Sequence, residues 1–320
     1  MSINTYVGGI NFMDKKKKSN LSRGRNVFLF GVLAPTFVWF LIFFIIPFVS
    51  VIVYSFTNAH LAYSTFKFVG FDQYIKAFTK DATFLIALKN TVVSAVVIVP
   101  STVVLSILLA AGLNALSERG RQAFTFIYFL PSVISAVAIS LVWDWLYSKS
   151  FGLFNAILKA LGLPSQDFLT SIGQALICLC IIQIWSIFGY YAVILLAAMR
   201  GIDKSLYEAS GIDGAGSIAK FFKITLPLIK NNILFVCVMS TTVAFMFFTP
   251  VKILTDGTPG TSTMVMLLHI LNKGIKNSDI GYASAMSIIL MLIILFFSLI
   301  QWVITKERKE KARHYKREEV

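Results

Sequence analysis

The segment LYEASGIDGAGSIAKFFKITLPLI, residues 206–229, carries residue types suited to recognising another protein. It is half polar and lies between two long apolar runs. Ala209, Ser210 and Gly211 would form a low surface that a partner's backbone could approach closely. Glu208 offers a single charge that could anchor such a partner by an ion pair or by capping a helix. An ordinary helix–turn–helix connection has the same polar character, so the segment alone leaves both interpretations open.

No catalytic constellation accompanies this segment. The sequence contains no metalloprotease motif, no nucleophile elbow and no pair of carboxylates inside an apolar run. The stretch GTPGTST, residues 257–263, lacks the lysine that a phosphate-binding loop needs after its second glycine. His60, His269 and His314 fall in predicted loops or tails, where we expect solvated side chains. We therefore predict no catalytic residue, and the spacing of the cysteines predicts no metal site.

The elements that flank the segment are apolar enough to cross a membrane. The chain is 57% hydrophobic and 14% charged, whereas a soluble domain carries about a quarter charged residues. Several runs exceed the ~18 residues needed for a transmembrane helix. They cover residues 28–56, 84–116, 122–147, 173–199, 231–252 and 284–305. We predict an all-α, polytopic membrane protein with six transmembrane helices, located in the plasma or inner membrane.

The distribution of positive charge indicates the orientation of these spans. The net charge is +14, and 20 of the 29 lysines and arginines fall in the two tails and the loops near 119–121 and 200–230. Positive residues concentrate on the cytoplasmic side of membrane proteins. We therefore expect both termini and the 201–230 loop in the cytoplasm, in contact with the lipid membrane. The same distribution gives no support to nucleic-acid binding.

Asp144, in VWDWLYSK, is the acidic residue closest to the predicted spans. Trp143, Trp145 and Tyr147 are typical of an interfacial aromatic belt, so we expect Asp144 at the level of the lipid headgroups. A proton-coupled carrier usually needs buried acids or histidines as a relay, and no such relay stands out in the sequence. The energy for transport is therefore expected to come from elsewhere.

Local patterns predict the structure of the 201–230 loop. KSLYEAS can form a short helix that Gly211 and Gly214 would end. SIAKFFKI would then return towards the membrane as an amphipathic helix, with Pro227 at the turn into the fifth span. Such a loop suits rigid docking better than flexible linking.

The loop resembles the EAA loop of permease subunits in ATP-driven importers that use a substrate-binding protein. In that pattern, E-A-A is followed by three residues, a glycine, nine residues and I-x-L-P. Here Glu208, Ala209 and Ser210 precede Gly214, and ITLP at 224–227 keeps every spacing. Ser210 replaces the second alanine, which is the one departure from the pattern.

The resemblance extends along most of the chain. FVGFDQY, GLFNAIL, GYYAVILLAAMRGIDKSLYEASGIDGA and IGYASAMSIILML are similar to the sugar-permease branch of these importers. Within that branch, the chain most resembles the first of the two permease subunits found in importers of the maltose, glycerol-phosphate and multiple-sugar type. Where members of that branch often have a Gly-Gly-Pro turn, this chain has DGTPG.

The resemblance implies a type I permease fold and a set of partners. This subunit would pair with a second permease, two ATPase subunits would engage the EAA loops, and an extracellular binding protein would deliver a mono- or oligosaccharide. ATP and Mg would be used by the ATPases, so this subunit would bind no cofactor and would not be an enzyme. The residues that correspond to the docking loop are Tyr207, Glu208, Ala209, Ser210, Gly211, Asp213 and Gly214.

The same resemblance, combined with the apolar runs, divides the chain into four parts. Residues 1–26 form a basic cytoplasmic tail, and 27–83 contain the first transmembrane helix and an outer loop. Residues 84–305 form a five-helix core that includes the docking loop, and 306–320 form a second basic tail.

Polar residues inside the spans are candidates for the solute path. Gln183 and Tyr190 share a face of the fourth span at helical spacing, and a sugar path needs hydrogen-bonding groups and aromatic faces of this kind. Hydrogen bonding between helices is the alternative role. The path residues predicted in this way are Asn90, Gln183, Trp185, Tyr190, Thr241 and Thr242.

Two other functions remain open from the sequence. A secondary carrier for a small solute is disfavoured by the absence of a proton relay and by the EAA spacing. A membrane scaffold or exporter component would explain neither the outer loops nor the docking loop.

Overall fold

The structure, a computed structural model, describes residues 30–62 and 66–318, with side chains described through Ile304. The predicted tail 1–26 lies outside these residues, as do the side chains of the second tail, including His314. The helices are α1 (Phe30–Ser55), α2 (Asp72–Thr79), α3 (Ala82–Ala115), α4 (Glu118–Phe129), α5 (Ala136–Tyr147), α6 (Leu153–Ala160), α7 (Ala175–Arg200), α8 (Lys204–Ile212), α9 (Ser217–Lys220), α10 (Leu226–Leu228), α11 (Lys230–Phe245), α12 (Thr249–Leu254), α13 (Met266–Leu271) and α14 (Ile280–Glu318). Short 3₁₀ turns lie at Leu130–Ser132 and Phe168–Thr170, and π-helical turns at Leu41–Ile45, Phe221–Thr225 and Asn272–Lys276.

Five helical segments are long and apolar enough to cross a membrane. They are α1, α3, α7, Lys230–Leu254 (α11 with α12) and the Ile280–Ile304 part of α14. A sixth span results if α4 and α5 are counted together as one bent segment. The predicted all-α, polytopic membrane fold is therefore confirmed. Because α3 has 34 residues, it is about 50 Å long and exceeds the ~30 Å hydrocarbon core of a bilayer.

The first helix belongs to a unit of its own, which ends at Val53. Its surface is aromatic and aliphatic: the side chains of Phe37, Trp39 and Phe43 are more than half exposed. Apolar surface of this extent is stable in lipid, because hydrocarbon removes the penalty of exposing it to water. The helix therefore has the composition of a membrane span along its whole described length.

The third predicted span is not one continuous helix. Helices α4 and α5 meet at 94° across residues 130–135, where Pro131 lies in a 3₁₀ turn. Proline has no backbone N–H and clashes with the preceding turn, so it ends or kinks a helix. The apolar run 122–147 gave the correct length of this span, but hydropathy did not reveal the angle.

The core of the second unit is built around α3, which packs against α7, α11 and α13, while α14 packs against α2, α11 and α13. Fully buried apolar side chains from several helices meet in its larger cluster, including Phe84, Leu179, Phe245 and Tyr282. A second cluster lies nearer the C-terminal ends of α3 and α7. Close packing of this kind, rather than the hydrophobic effect alone, holds helices together in lipid.

Helices α4 and α7 approach each other at Gly189. A Cβ atom at this position would overlap the carbonyl oxygen of Tyr128. The rings of Tyr128 and Phe188 pack edge to face beside it, with centroids 5.9 Å apart. Only glycine allows this approach, and small residues are enriched at such contacts between membrane helices.

The C-terminal end of α5 corrects one prediction. Trp143 and Tyr147 are 9% and 5% exposed, and the Tyr147 hydroxyl donates to the Cys178 carbonyl over 3.2 Å. The prediction that both belong to an interfacial aromatic belt is therefore wrong, because both rings pack into the core. Trp145 and Asp144 are exposed, as the belt interpretation requires of them.

Candidate functional site

The predicted docking loop forms helix α8 and the turn that follows it. Asp203 precedes the helix and its carboxylate accepts the backbone N–H of Ser205 over 2.9 Å. Backbone and side-chain hydrogen bonds from Ser205 lower the pKa of Asp203, which is the expected effect of a capping carboxylate. The sequence ASGIDG then ends the helix at Ile212.

The end of α8 is a Schellman motif. The N–H of Ala215 donates to the carbonyl of Ser210 over 2.9 Å, and that of Gly214 to Gly211 over 3.1 Å. Gly214 has φ +74°, a left-handed conformation that glycine adopts without a steric penalty. The prediction that Gly211 also ends the helix is wrong: Gly211 lies within α8, where it costs only about 1 kcal/mol relative to alanine.

Tyr207 attaches α8 to the return segment. Its hydroxyl lies 2.8 Å from the hydroxyl of Thr225, and Thr225 is buried. The Ser210 hydroxyl donates to the Tyr207 carbonyl over 2.9 Å. Of the predicted docking residues, Tyr207 and Ser210 are therefore partly buried, and the bond between Tyr207 and Thr225 fixes the position of the helix.

The remaining predicted docking residues face away from the protein. Glu208, Ala209, Gly211, Asp213 and Gly214 are all exposed. Within the residues that the structure describes, neither Glu208 nor Asp213 forms an ion pair. These five positions are therefore available to a partner.

Apolar side chains surround these positions. Ile212 is 90% exposed, Ile218 77%, Phe222 62% and Leu206 45%. An exposed apolar patch rimmed by charged residues marks an interaction surface. We refer to the exposed residues of α8 and the 213–222 segment as the α8 surface.

Among the predicted path residues, Asn90 has a structural task. It is 9% exposed, and its side-chain amide lies 2.9–3.1 Å from the carbonyls of Thr261, Ser262 and Met264. Next to it, the N–H of Met266 donates to the hydroxyl of Thr91 over 2.8 Å. These bonds hold the turn before α13 against α3, which supports the alternative role in packing.

Gln183, Trp185 and Tyr190 lie on α7 with part of each side chain accessible. Trp185 and Tyr190 are 39% and 42% exposed. Trp185 packs edge to face on Trp143 with ring centroids 5.6 Å apart. Gln183 forms no side-chain hydrogen bond within the described part of the chain, so its amide is available to a solute.

The two threonines of α11 are engaged in hydrogen bonds. Thr241 is 2% exposed, donates to the Cys237 carbonyl over 2.8 Å and accepts from the Gln301 amide over 2.6 Å. Thr242 donates to the Val238 carbonyl over 3.3 Å. Thr241 and Gln301 line a cavity of about 180 Å³ between α3, α11 and α14. Gln301 is a polar residue of this region that sequence reasoning missed.

The structure also reveals a buried polar cluster at the end of the bundle opposite α8. One carboxylate oxygen of Asp81 lies 2.9 Å from His269 Nε2 and 2.9 Å from the Tyr282 hydroxyl, and the other accepts the N–H of Phe84. His269 is 3% exposed, so the prediction of a solvated side chain is wrong. The N-cap position of Asp81 was a usable sequence signal, whereas its partners, about 190 residues away, gave none.

Burial and hydrogen bonding set the charges in this cluster. Burial raises the pKa of the Asp81 carboxyl, but the bonds from His269, Tyr282 and Phe84 lower it to about 2. Burial lowers the pKa of His269 despite the opposing effect of Asp81. The cluster therefore holds an ionised carboxylate and a neutral imidazole near pH 7. It ties α3, α13 and α14 together.

The fold and the α8 surface together define a helical membrane protein with an exposed, partly apolar surface on one side. Residues 102–309 match the family described as "Binding-protein-dependent transport system inner membrane component". The match covers more than half of the chain, and the chain belongs to this family. It is a multi-pass permease subunit of the sugar-permease branch of ABC importers, a transport component and not an enzyme.

Two relatives and two solved structures show how far the similarity extends. The chain is 30% identical over 317 residues to the diacetylchitobiose uptake system permease protein NgcF of Streptomyces coelicolor, covering 93% of this chain and 90% of the relative. It is 32% identical to the lactose transport system permease protein LacF of Rhizobium radiobacter, covering 93% and 100%. A bacterial ABC transporter involved in the import of the acidic polysaccharide alginate has a TM-score of 0.78 at 26% identity, covering 91% and 99%. The alginate transporter in complex with its pentasaccharide-bound periplasmic protein has a TM-score of 0.77 at 27% identity, covering 87% and 93%. These similarities support the importer and not the alternative of a secondary carrier.

Proposed function

We propose that this chain forms, with a second permease subunit, the membrane path of an importer for a mono- or oligosaccharide. An extracellular binding protein delivers the sugar, and two ATPase subunits drive the cycle with ATP and Mg. The substrates named for NgcF and LacF and the alginate of the solved transporters support a carbohydrate as cargo. Both termini and α8 lie in the cytoplasm, as the distribution of lysines and arginines favours.

The exposed α8 surface carries the docking part of the proposal. Its apolar side chains are up to 90% exposed at the tip of a polar loop, and Glu208 has no ion-pair partner in the described chain. A groove on the surface of an ATPase subunit would bury this apolar area and provide a basic residue to pair with the Glu208 carboxylate. The short helix is rigid, because it is capped at one end and closed by a Schellman motif at the other.

Movement at α8 reaches the membrane through specific contacts. The bond between Tyr207 and Thr225 connects α8 to the segment that enters α11. At its other end, α8 follows α7 after only three residues, 201–203. When the ATPases close on ATP, they therefore displace two spans at once. The docking must differ between the open and closed ATPase states, since only differential binding couples two conformations.

On the sugar path, α7 provides the groups that remain accessible. The free amide of Gln183 can donate to and accept from sugar hydroxyls, and the partly exposed rings of Trp185 and Tyr190 offer apolar faces. Thr241 and Asn90 already bond to the protein, so their contribution to the path is to hold its walls.

The experiment exploits two glycines in the same local setting. Gly214 and Gly162 have φ +74° and +72°, both follow a helix in a Schellman motif, and neither Cβ would meet an atom within 4 Å. Aspartate at either position should cost about 1–2 kcal/mol of local conformational strain. We expect Gly214→Asp to abolish co-purification of the ATPase and sugar uptake, while Gly162→Asp retains both.

Two further variants test the charge and the small residue. Glu208→Lys should reduce ATPase co-purification, because it reverses the anchoring charge. Ser210→Ala should leave transport unchanged, because it removes one local bond to Tyr207 and restores the alanine of the EAA pattern. Membrane abundance of each variant is measured in parallel. If Gly214→Asp and Gly162→Asp behave alike at normal abundance, α8 is a connector and the docking proposal is wrong.

A further inference from the structure

A groove of about 470 Å³ runs between α4 and α7, beside the ends of α3 and α7 that lead into α4 and α8. One end is charged and the other is apolar. The charged end contains Glu118, Arg121 and Arg200. The apolar end contains Phe126, Phe129, Val193 and Leu196.

The charged end contains more positive than negative groups. Arg121 forms an ion pair with Glu118, and Arg200 lies 3.6 Å from the same carboxylate. Two guanidinium groups thus share one carboxylate, which leaves a net charge of +1. A guanidinium that is only partly neutralised is a favourable site for a phosphate group.

Unpartnered polar atoms lie at the same end. The Arg121 side chain is 13% exposed, and its Nε is buried without a hydrogen-bond partner among the described residues. The hydroxyl of Thr125, one helical turn further along α4, is also buried and unpartnered in this part of the chain. Buried donors without partners destabilise a protein, so both atoms indicate a ligand with acceptor oxygens.

The apolar end extends to the depth of the hydrocarbon. Glu118 and Phe129 are eleven residues apart on one helix, which corresponds to about 16 Å along its axis. Phe126 is 66% exposed. A soluble anion would leave this end of the groove empty, whereas an amphipathic molecule would fill both ends.

We propose that the groove binds an anionic phospholipid. Its phosphate lies between Arg121 and Arg200 and accepts from Thr125, and an acyl chain lies along Phe126 and Val193. Basic pockets between transmembrane helices on the cytoplasmic side are suited to anionic headgroups. The assignment to the cytoplasmic leaflet rests on the orientation proposed above.

The test uses the complete importer complex reconstituted in nanodiscs of phosphatidylcholine with a small fraction of phosphatidylglycerol. Lipid retained on the complex is counted by native mass spectrometry. Arg200→Gln should reduce retained phosphatidylglycerol about fivefold, the effect of removing one basic residue near a membrane surface. Arg119→Gln is the matched control: Arg119 is exposed outside the groove, so its loss should reduce retention less than the loss of Arg200.

Two other variants separate the headgroup from the chain. Glu118→Gln should increase retention of phosphatidylglycerol, because the carboxylate competes with phosphate for both arginines. Val193→Trp should reduce retention by filling the apolar end without a change of charge. Equal retention by Arg200→Gln and Arg119→Gln, or equal retention of phosphatidylcholine and phosphatidylglycerol by the native complex, would overturn the proposal. No effect of any of the four variants would also overturn the proposal and would indicate that a protein subunit covers the groove. Because lipid is counted and not transport, failure of sugar uptake would leave the result interpretable.

Discussion

The buried cluster around Asp81 predicts a large effect from a small change. Asp81→Asn keeps the shape of the side chain and its ability to cap α3, but it removes the negative charge. The Asp81 side chain is only 10% exposed, and His269 and Tyr282 both point hydrogen-bond donors at one of its oxygens. An amide presents only one acceptor oxygen, so at least one of the three donors loses its partner, and both His269 and Tyr282 do so if that oxygen caps Phe84.

The pKa of Asp81 gives the magnitude. Burial opposes ionisation, yet the hydrogen bonds lower the pKa from 3.8 to about 2. At 1.36 kcal/mol for each pH unit, this lowering corresponds to about 2 kcal/mol of stability at neutral pH. We expect the purified variant to unfold at a temperature lower by several degrees in a thermal melt. Asp167→Asn is the control, because its ion pair with Lys149 is half exposed and should contribute less than about 1 kcal/mol.

The pH dependence has a defined sign. A carboxyl with a lowered pKa stabilises the fold above pH 3.8, and this contribution is lost as the pH falls through about 2. The difference between the native protein and Asp81→Asn should therefore be constant above pH 6.5, and it should change below that value because Asp81 raises the pKa of His269. His269, whose pKa is lowered by burial, stays neutral in the fold, so stability falls as the pH drops below 6.5. If Asp81→Asn and Asp167→Asn melt at the same temperature, the cluster does not stabilise the fold and the reasoning fails.

Two predictions concern orientation and path. A cysteine at position 204 should be protected from an impermeant reagent in intact cells, and one at 256 should be labelled; labelling of Lys204→Cys would contradict the topology. Gln183→Ala and Tyr190→Phe should reduce sugar uptake, because both side chains are accessible. ATPase co-purification should stay normal, because neither residue contacts α8. Normal uptake by both variants would assign the two residues to packing.

Much of this fold was predictable because its signals are local. Hydropathy identified the spans, since their length and composition are set by the bilayer. The spacing between Glu208 and Pro227 predicted the EAA-like loop, and the left-handed Gly214 follows from the need to close a short helix. Pro131 lies at the break in the third span, and a proline ends or kinks a helix whichever distant residues surround it.

The features that sequence reasoning missed depend on distant partners. His269 is buried because Asp81, 188 residues earlier, accepts its hydrogen bond. Trp143 resembles an interfacial residue in its own segment, but α7 covers it. Asn90 looks like a path residue until the carbonyls before α13 are seen to occupy its amide. In each case the residue type and its local spacing suggested a role. The sequence could not show which distant residue would contact the side chain.

The contact between Gly189 and Tyr128 has a mechanical consequence. Helices that touch backbone to backbone cannot slide past each other without separating. We therefore expect α4 and α7 to move together as one rigid body. A displacement applied at α8 is delivered to α7 and carried on to α4. Helix α5 lies beyond the 94° bend, packs against α12 and contacts α7 through Trp143 and Tyr147. We expect the line between moving and stationary parts of the permease to pass through the third span at residues 133–135. Spin labels placed on α4 and α5 would then change their separation during ATP turnover, while a pair on α4 and α7 would keep theirs.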